Sequence, residues 1–226
     1  MWRDAALVAG KDLRIELRSR VLVNQVAPFG VLVLVLFAFA LGPDAQDLLR
    51  AAPGVFWVAV LFAGLLAIQR AFAIESSDGA RDGLRLAGLD PAGVFLGKAA
   101  AVFAQLVVLE LLLGAGAVVL FGAHVHDAWS LVAACVVGTA GLAGSGVLYG
   151  GLAAGLRVRE TLLPLLVLPV VAPVLVAGTK VWQAALGTQT QSPASGGGWM
   201  PLLLVFAVVY VVLGVLLYGV LQEEAE

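Results

Sequence analysis

One carboxylate, two imidazoles, three prolines and one thiol stand out in a chain built mostly of Val, Leu, Ala and Gly. Glu110 lies near the middle of an apolar run spanning 94–121. A charge at the centre of a bilayer costs on the order of 3 kcal/mol on insertion scales, so Glu110 must face an interior, protonated or paired. It could contact a substrate or proton in transit. The preferred reading asks less: a neutral carboxylic acid hydrogen-bonded to a neighbouring helix. His124 and His126, in "GAHVHDAW", could offer imidazole nitrogens to haem iron or to a metal. No third ligand accompanies them, so no metal site is expected and solvated loop side chains are the simpler reading. Pro164, Pro169 and Pro173 share the run 161–185. Each removes a backbone donor and crowds the preceding turn, so this helix is expected to be kinked or interrupted. A gate or substrate path and a packing kink are equally good explanations. Cys135 is the sole cysteine, which rules out an internal disulfide, a thiolate metal site and a C-x-x-C-H haem attachment. No Ser/His/Asp or His/Glu constellation is available, so no catalytic residue is expected.

The elements that must position these groups follow from composition. The chain has 226 residues, 62% of them hydrophobic and only 12% charged, with a mean hydropathy of +1.03. A soluble domain carries about 25% charged residues, and its surface could not be covered with half of that. The net charge of −2 provides no basic field for nucleic acid. Apolar runs at 21–41, 51–73, 94–121, 128–155, 161–185 and 199–221 are each long enough to cross a bilayer, which takes roughly 20 residues. The expected fold is therefore all-α and polytopic, with six transmembrane helices in one domain covering 1–226. The motif "AFA" at 38–40 resembles a signal-peptide cleavage site, but the apolar run before it is too long, so the first span is expected to be retained.

Orientation follows from Lys and Arg in the short loops. With the N-terminus inside, eleven of them are cytoplasmic, and Arg50 and Lys180 are the two on the other side. Both termini are thus expected in the cytoplasm. Residues 2–18 place Trp2, Ala6, Ala9, Leu13 and Leu17 in one stripe at 100° per residue, with Arg3, Lys11, Arg14 and Arg18 on a neighbouring arc. That pattern suits a helix lying in the membrane interface over 1–20, or one packed on the cytoplasmic ends of the bundle. The fourth span carries Gly146 and Gly150 as a G-x-x-x-G face, suited to packing within the bundle or to a subunit contact.

The stretch "ESSDGARDGLRLAGLDP", 75–91, carries six charges between two apolar runs. Ser77 or Asp78 can cap a helix. Asp78 with Arg81, and Asp82 with Arg85, are acid-before-base pairs at i,i+3. Leu84 with Ala80 and Ala87 gives an apolar side, Gly88 suits a C-terminal stop, and Asp90-Pro91 opens the next helix. A short amphipathic helix on the cytoplasmic face is expected, suited to press into a groove on a soluble partner. No G-x-x-x-x-G-K-[ST] loop is present, so nucleotide phosphates would have to be bound by another chain.

The run "LGPDAQDLLRAAPGVFWVAVLFAGLLAIQRAF" (41–72), the order Pro53-Gly54, Trp57, Arg70, Glu75, Gly79, Leu84, Lys98, and "LLPLLVLPVVAPVL" (162–175) resemble the B-subunit family of the cytochrome c maturation system. These are haem exporter permeases of the type-2 ABC transporter class. Gly79-x-x-Asp82 stands where that class usually carries Gly-x-x-Glu, keeping the carboxylate and shortening its reach. The resemblance implies that 75–91 is the coupling helix, with Asp78, Gly79, Asp82, Leu84 and Arg85 facing a cytoplasmic ATP-binding subunit. It also implies a permease homodimer in the plasma (inner) membrane, other cytochrome c maturation membrane proteins as partners, haem as cargo and ATP bound by the partner. No cofactor is expected on this chain itself. A different cargo (lipid, polysaccharide or drug) and a non-transporting membrane scaffold are the alternatives.

Overall fold

The computed structural model describes residues 1–42, 44–77, 88–153, 159–188 and 198–224, and among these it is built of helices with no strand. Helix α1 (Trp2–Ser19) ends at Arg20, whose left-handed φ of 52° turns the chain. A π-helical turn, Leu22–Val26, runs straight into α2 (Ala27–Ala40). The Glu16 carboxylate accepts the Leu22 N–H at 2.5 Å, so an acid on α1 satisfies one of the open donors at the start of the first span. Four longer helices precede the last: α3 (Ala45–Ser77), α4 (Pro91–Phe121), α5 (Ala128–Ala153) and α6 (Arg159–Ala185). The last is α7 (Trp199–Glu224).

Six helices are long and apolar enough to cross a membrane: Leu22–Ala40, Ala45–Ala73, Pro91–Phe121, Ala128–Ala153, Thr161–Ala185 and Trp199–Leu221. The protein is a multi-pass membrane protein of the all-α class, as the hydropathy pattern implies. Helix α3 begins six residues before its apolar run because Asp44 caps it, accepting the N–H groups of Gln46 (2.8 Å) and Asp47 (3.3 Å). Helix α4 opens at Asp90-Pro91 as expected, but the Asp90 carboxylate makes no capping bond; it lies 3.4 Å from the Met1 ammonium. Gly88 has the positive φ, 62°, of a stop position.

Helices α3 and α5 are the most buried spans, and the glycines of α5 act as sockets for large side chains of its neighbours. A Cβ at Gly138 would meet the Trp57 ring at 2.6 Å, and one at Gly178 of α6 would meet the same indole at 2.4 Å. Gly146 lies against Ile68 and Gly150 against Phe72, both on α3. The G-x-x-x-G face is thus used inside the bundle. Away from this core, Phe39, Leu111, Val119, Val205 and Leu216 are exposed, as suits side chains facing hydrocarbon.

Candidate functional site

The bundle carries polar groups at both of its ends, and only those at one end, Glu110 and the two histidines, are among the candidates named from the sequence. Asp78, Gly79, Asp82, Leu84 and Arg85 lie outside the described residues.

At the end carrying the α4–α5 loop, Glu110 is 5% exposed and accepts a hydrogen bond from the Thr139 hydroxyl of α5. Its second oxygen, Oε2, is buried with no hydrogen-bond partner. Glu110 lines a cavity of about 440 Å³ between α4 and α5, together with Cys135, Trp182 and apolar side chains reaching to Val125. Beside it, Phe56 stacks on Trp182 with ring centroids 3.8 Å apart, and Trp57 meets Phe56 edge-on at 5.7 Å. The acid is therefore hydrogen-bonded across helices, as the simpler reading expected, while one oxygen remains for something entering the cavity.

The histidines sit over this end without meeting in a ligand set. His126 Nδ1 is 3.1 Å from the His124 carbonyl oxygen, and both side chains are exposed. The His126 and Asp127 N–H groups donate to the Ala185 carbonyl at 3.0 and 3.1 Å, tying the loop to the end of α6. Asp127 in turn caps α5 through the hydroxyl and N–H of Ser130, which hold its carboxyl below the usual carboxylate range. No group of three His, Cys, Asp or Glu suited to a metal occurs among the described residues.

Of the kink or interruption that the prolines predict, no interruption is present. Helix α6 runs unbroken from Arg159 to Ala185 with Pro164, Pro169 and Pro173 inside it. Its packed side is Val167, Val171 and Val174, whereas Pro169 and Pro173 are exposed. Pro169 and Pro173 thus keep their rings clear of the packed side, and the helix continues through them.

At the other end lies a polar cluster that pattern reading did not single out as a site. Helix α1 packs closely along α4, because Gly93 and Gly97 present bare backbone: a Cβ at Gly97 would meet the Ala5 carbonyl at 2.6 Å and Val8 at 2.7 Å. Ala5 and Val8 are buried there, while Trp2 and Leu17 of the apolar stripe stay 75% and 76% exposed. Asp12 thereby reaches Lys98, which is 1% exposed, at 3.8 Å, and holds Lys11 at 3.0 Å. The Lys98 ammonium also sits 5.0 Å over the Phe72 ring. Asp12, Glu16, Arg70 and Gln105 line one small cavity. The available signal was Asp12 and Glu16 at i,i+4 on α1, but only the fold reveals that Asp12 meets Lys98 of α4 and that both acids share a cavity with Arg70 of α3.

A family model described as "CcmB protein" matches residues 4–219. Among curated relatives, "Heme exporter protein B" of Haemophilus influenzae is 34% identical over 175 residues, 77% of this chain and 79% of the relative. The protein of the same name from Paracoccus denitrificans is 35% identical over 175 residues, covering 75% and 78%. That from Bradyrhizobium diazoefficiens is 31% identical over 212 residues, or 90% of both chains.

Proposed function

This chain belongs to the CcmB protein family, and on that premise we propose that it is the membrane permease subunit of a haem exporter serving cytochrome c maturation. The observation that carries the reading is the likeness to heme exporter proteins B across the span-bearing length of the chain, at 31% identity over 90% of it. Six membrane-crossing helices supply the matching body. The chain is a transporter subunit rather than an enzyme: ATP is hydrolysed by a separate cytoplasmic ATP-binding subunit, and haem is the cargo that is moved or released for attachment to apocytochromes.

In this reading residues 1–226 form one permease domain that pairs with a second copy in the inner membrane, with both termini in the cytoplasm. Helix α1 lies in the interface, its open stripe of Trp2, Ala6 and Leu17 toward lipid. The stretch 75–91 docks on the ATP-binding subunit, with Leu84 in a groove and Asp78, Gly79, Asp82 and Arg85 around it. The Glu110 cavity and the α6 prolines belong to the moving part of the bundle. A carboxylate placed at Leu84 would be buried unpaired, costing several kcal/mol, enough to weaken association about a hundredfold or more. The test is expression of wild type and Leu84→Asp in a bacterium lacking its own heme exporter protein B. Holo-cytochrome c should return with wild type and fail with Leu84→Asp, and only wild type should co-purify with the ATP-binding chain. Absence of holo-cytochrome c with a normally inserted wild-type protein would refute the reading.

A further inference from the structure

Arg70 takes part in two cavities. The one bounded by α1 contains Asp12 and Glu16, but those acids are engaged: Asp12 with Lys11 and Lys98, and Glu16 with the Leu22 N–H. The second, of about 300 Å³, opens between the π-helical turn, α3 and α6, and among the described residues no acid lines it. Its polar side chains are Arg70, Gln25 and Gln69; its apolar ones include Leu66, Phe72 and Leu163. Arg70 makes no ion pair among the described residues, and its Nε is buried without a hydrogen-bond partner. A guanidinium offers five donors in a planar fork that matches a carboxylate or phosphate, and Arg70 is half-buried at the wall of this cavity. Gln25 enters the cavity from the π turn, a local distortion that recurs at functional sites.

We propose that this cavity binds the anionic group of an amphiphile, a carboxylate or phosphate on an apolar body. Arg70 is the counter-ion, the Gln25 and Gln69 amides stand beside it, and Leu66, Phe72 and Leu163 flank the apolar body. The site does not depend on the identity of the transported cargo. Two sources share the chemistry, a phospholipid headgroup and the propionates of a porphyrin, and the experiment separates them.

The intact chain, purified in detergent, is titrated with four probes: phosphatidylglycerol against phosphatidylcholine, and iron-free protoporphyrin IX against its dimethyl ester. Lipid binding is read by native mass spectrometry and porphyrin binding by fluorescence. Arg70→Gln should weaken one or both anionic probes about tenfold, with Arg70→Lys retaining part of the binding and the neutral probes unaffected. Lys180→Gln, a cation at the opposite end, should change nothing. A loss confined to phosphatidylglycerol identifies a lipid site; a loss confined to protoporphyrin IX identifies a site for the cargo's carboxylates. Equal binding of both anionic probes by wild type and a folded Arg70→Gln overturns the proposal. Should Arg70→Gln not fold, Gln25→Leu decides: a severalfold loss supports the site and no loss overturns it. Because the porphyrin lacks iron and no transport is measured, failure here leaves the export reading untouched.

Discussion

Two buried polar residues show how this chain tolerates charge among apolar side chains. Lys98 is fully enclosed and Asp12 reaches it from a helix 86 residues earlier in sequence. Removing the Asp12 carboxylate takes away one of the interactions that hold this buried ammonium, at a cost of about 1–3 kcal/mol. Asp12→Ala should therefore destabilise the detergent-solubilised protein by about that amount in thermal unfolding, and Asp12→Asn/Lys98→Met should recover part of it. Glu110 makes a different demand. It provides the acceptor for the Thr139 hydroxyl, itself wholly buried. Glu110→Gln retains an acceptor and should stay within about 1 kcal/mol of wild type, whereas Glu110→Leu orphans the hydroxyl and should cost about 1–3 kcal/mol. Comparable unfolding of the two variants would remove the hydrogen bond from the account.

The helices were legible from hydropathy alone because a membrane span has to be apolar along its whole length. The run beginning at 199 and the one ending at 121 coincide with the ends of α7 and α4. What apolarity could not reveal are the polar first turns: α3 starts at Ala45, where Asp44 caps "AQDLLR". Three prolines predict a kinked or interrupted helix; α6 shows no interruption, with Pro169 and Pro173 on its outward side. The docking of α1 was hidden for another reason. Its seat is two glycines on α4, and a glycine in an apolar run signals close approach without saying to what. Gly97→Val places atoms where the Ala5 carbonyl and Val8 now lie. Overpacking of this kind typically costs about 1–3 kcal/mol, so amide hydrogen exchange in residues 2–19 should rise about tenfold while α5 is unchanged. Gly10→Ala, with open space around it, should leave exchange in α1 the same or slower, since alanine favours helix over glycine.

At the scale of the whole molecule, the two ends of the bundle have different tasks. The α1 end gathers ionic and amide side chains around Lys98 and Arg70; the loop end encloses an apolar cavity with one acid and stacked aromatics. The sequence announced Glu110 by its depth in a span, but Thr139 and the aromatic wall emerge only when α4, α5 and α6 are brought together. The bundle thus offers an ionic, amide-rich chemistry at one end and an apolar, aromatic one at the other. The most direct test is ATP hydrolysis by the ATP-binding subunit reconstituted with this chain in nanodiscs, with and without haem. The account predicts activity that depends on the presence of this chain and rises severalfold when haem is added. Hydrolysis indifferent to haem but stimulated by a lipid or polysaccharide would contradict it.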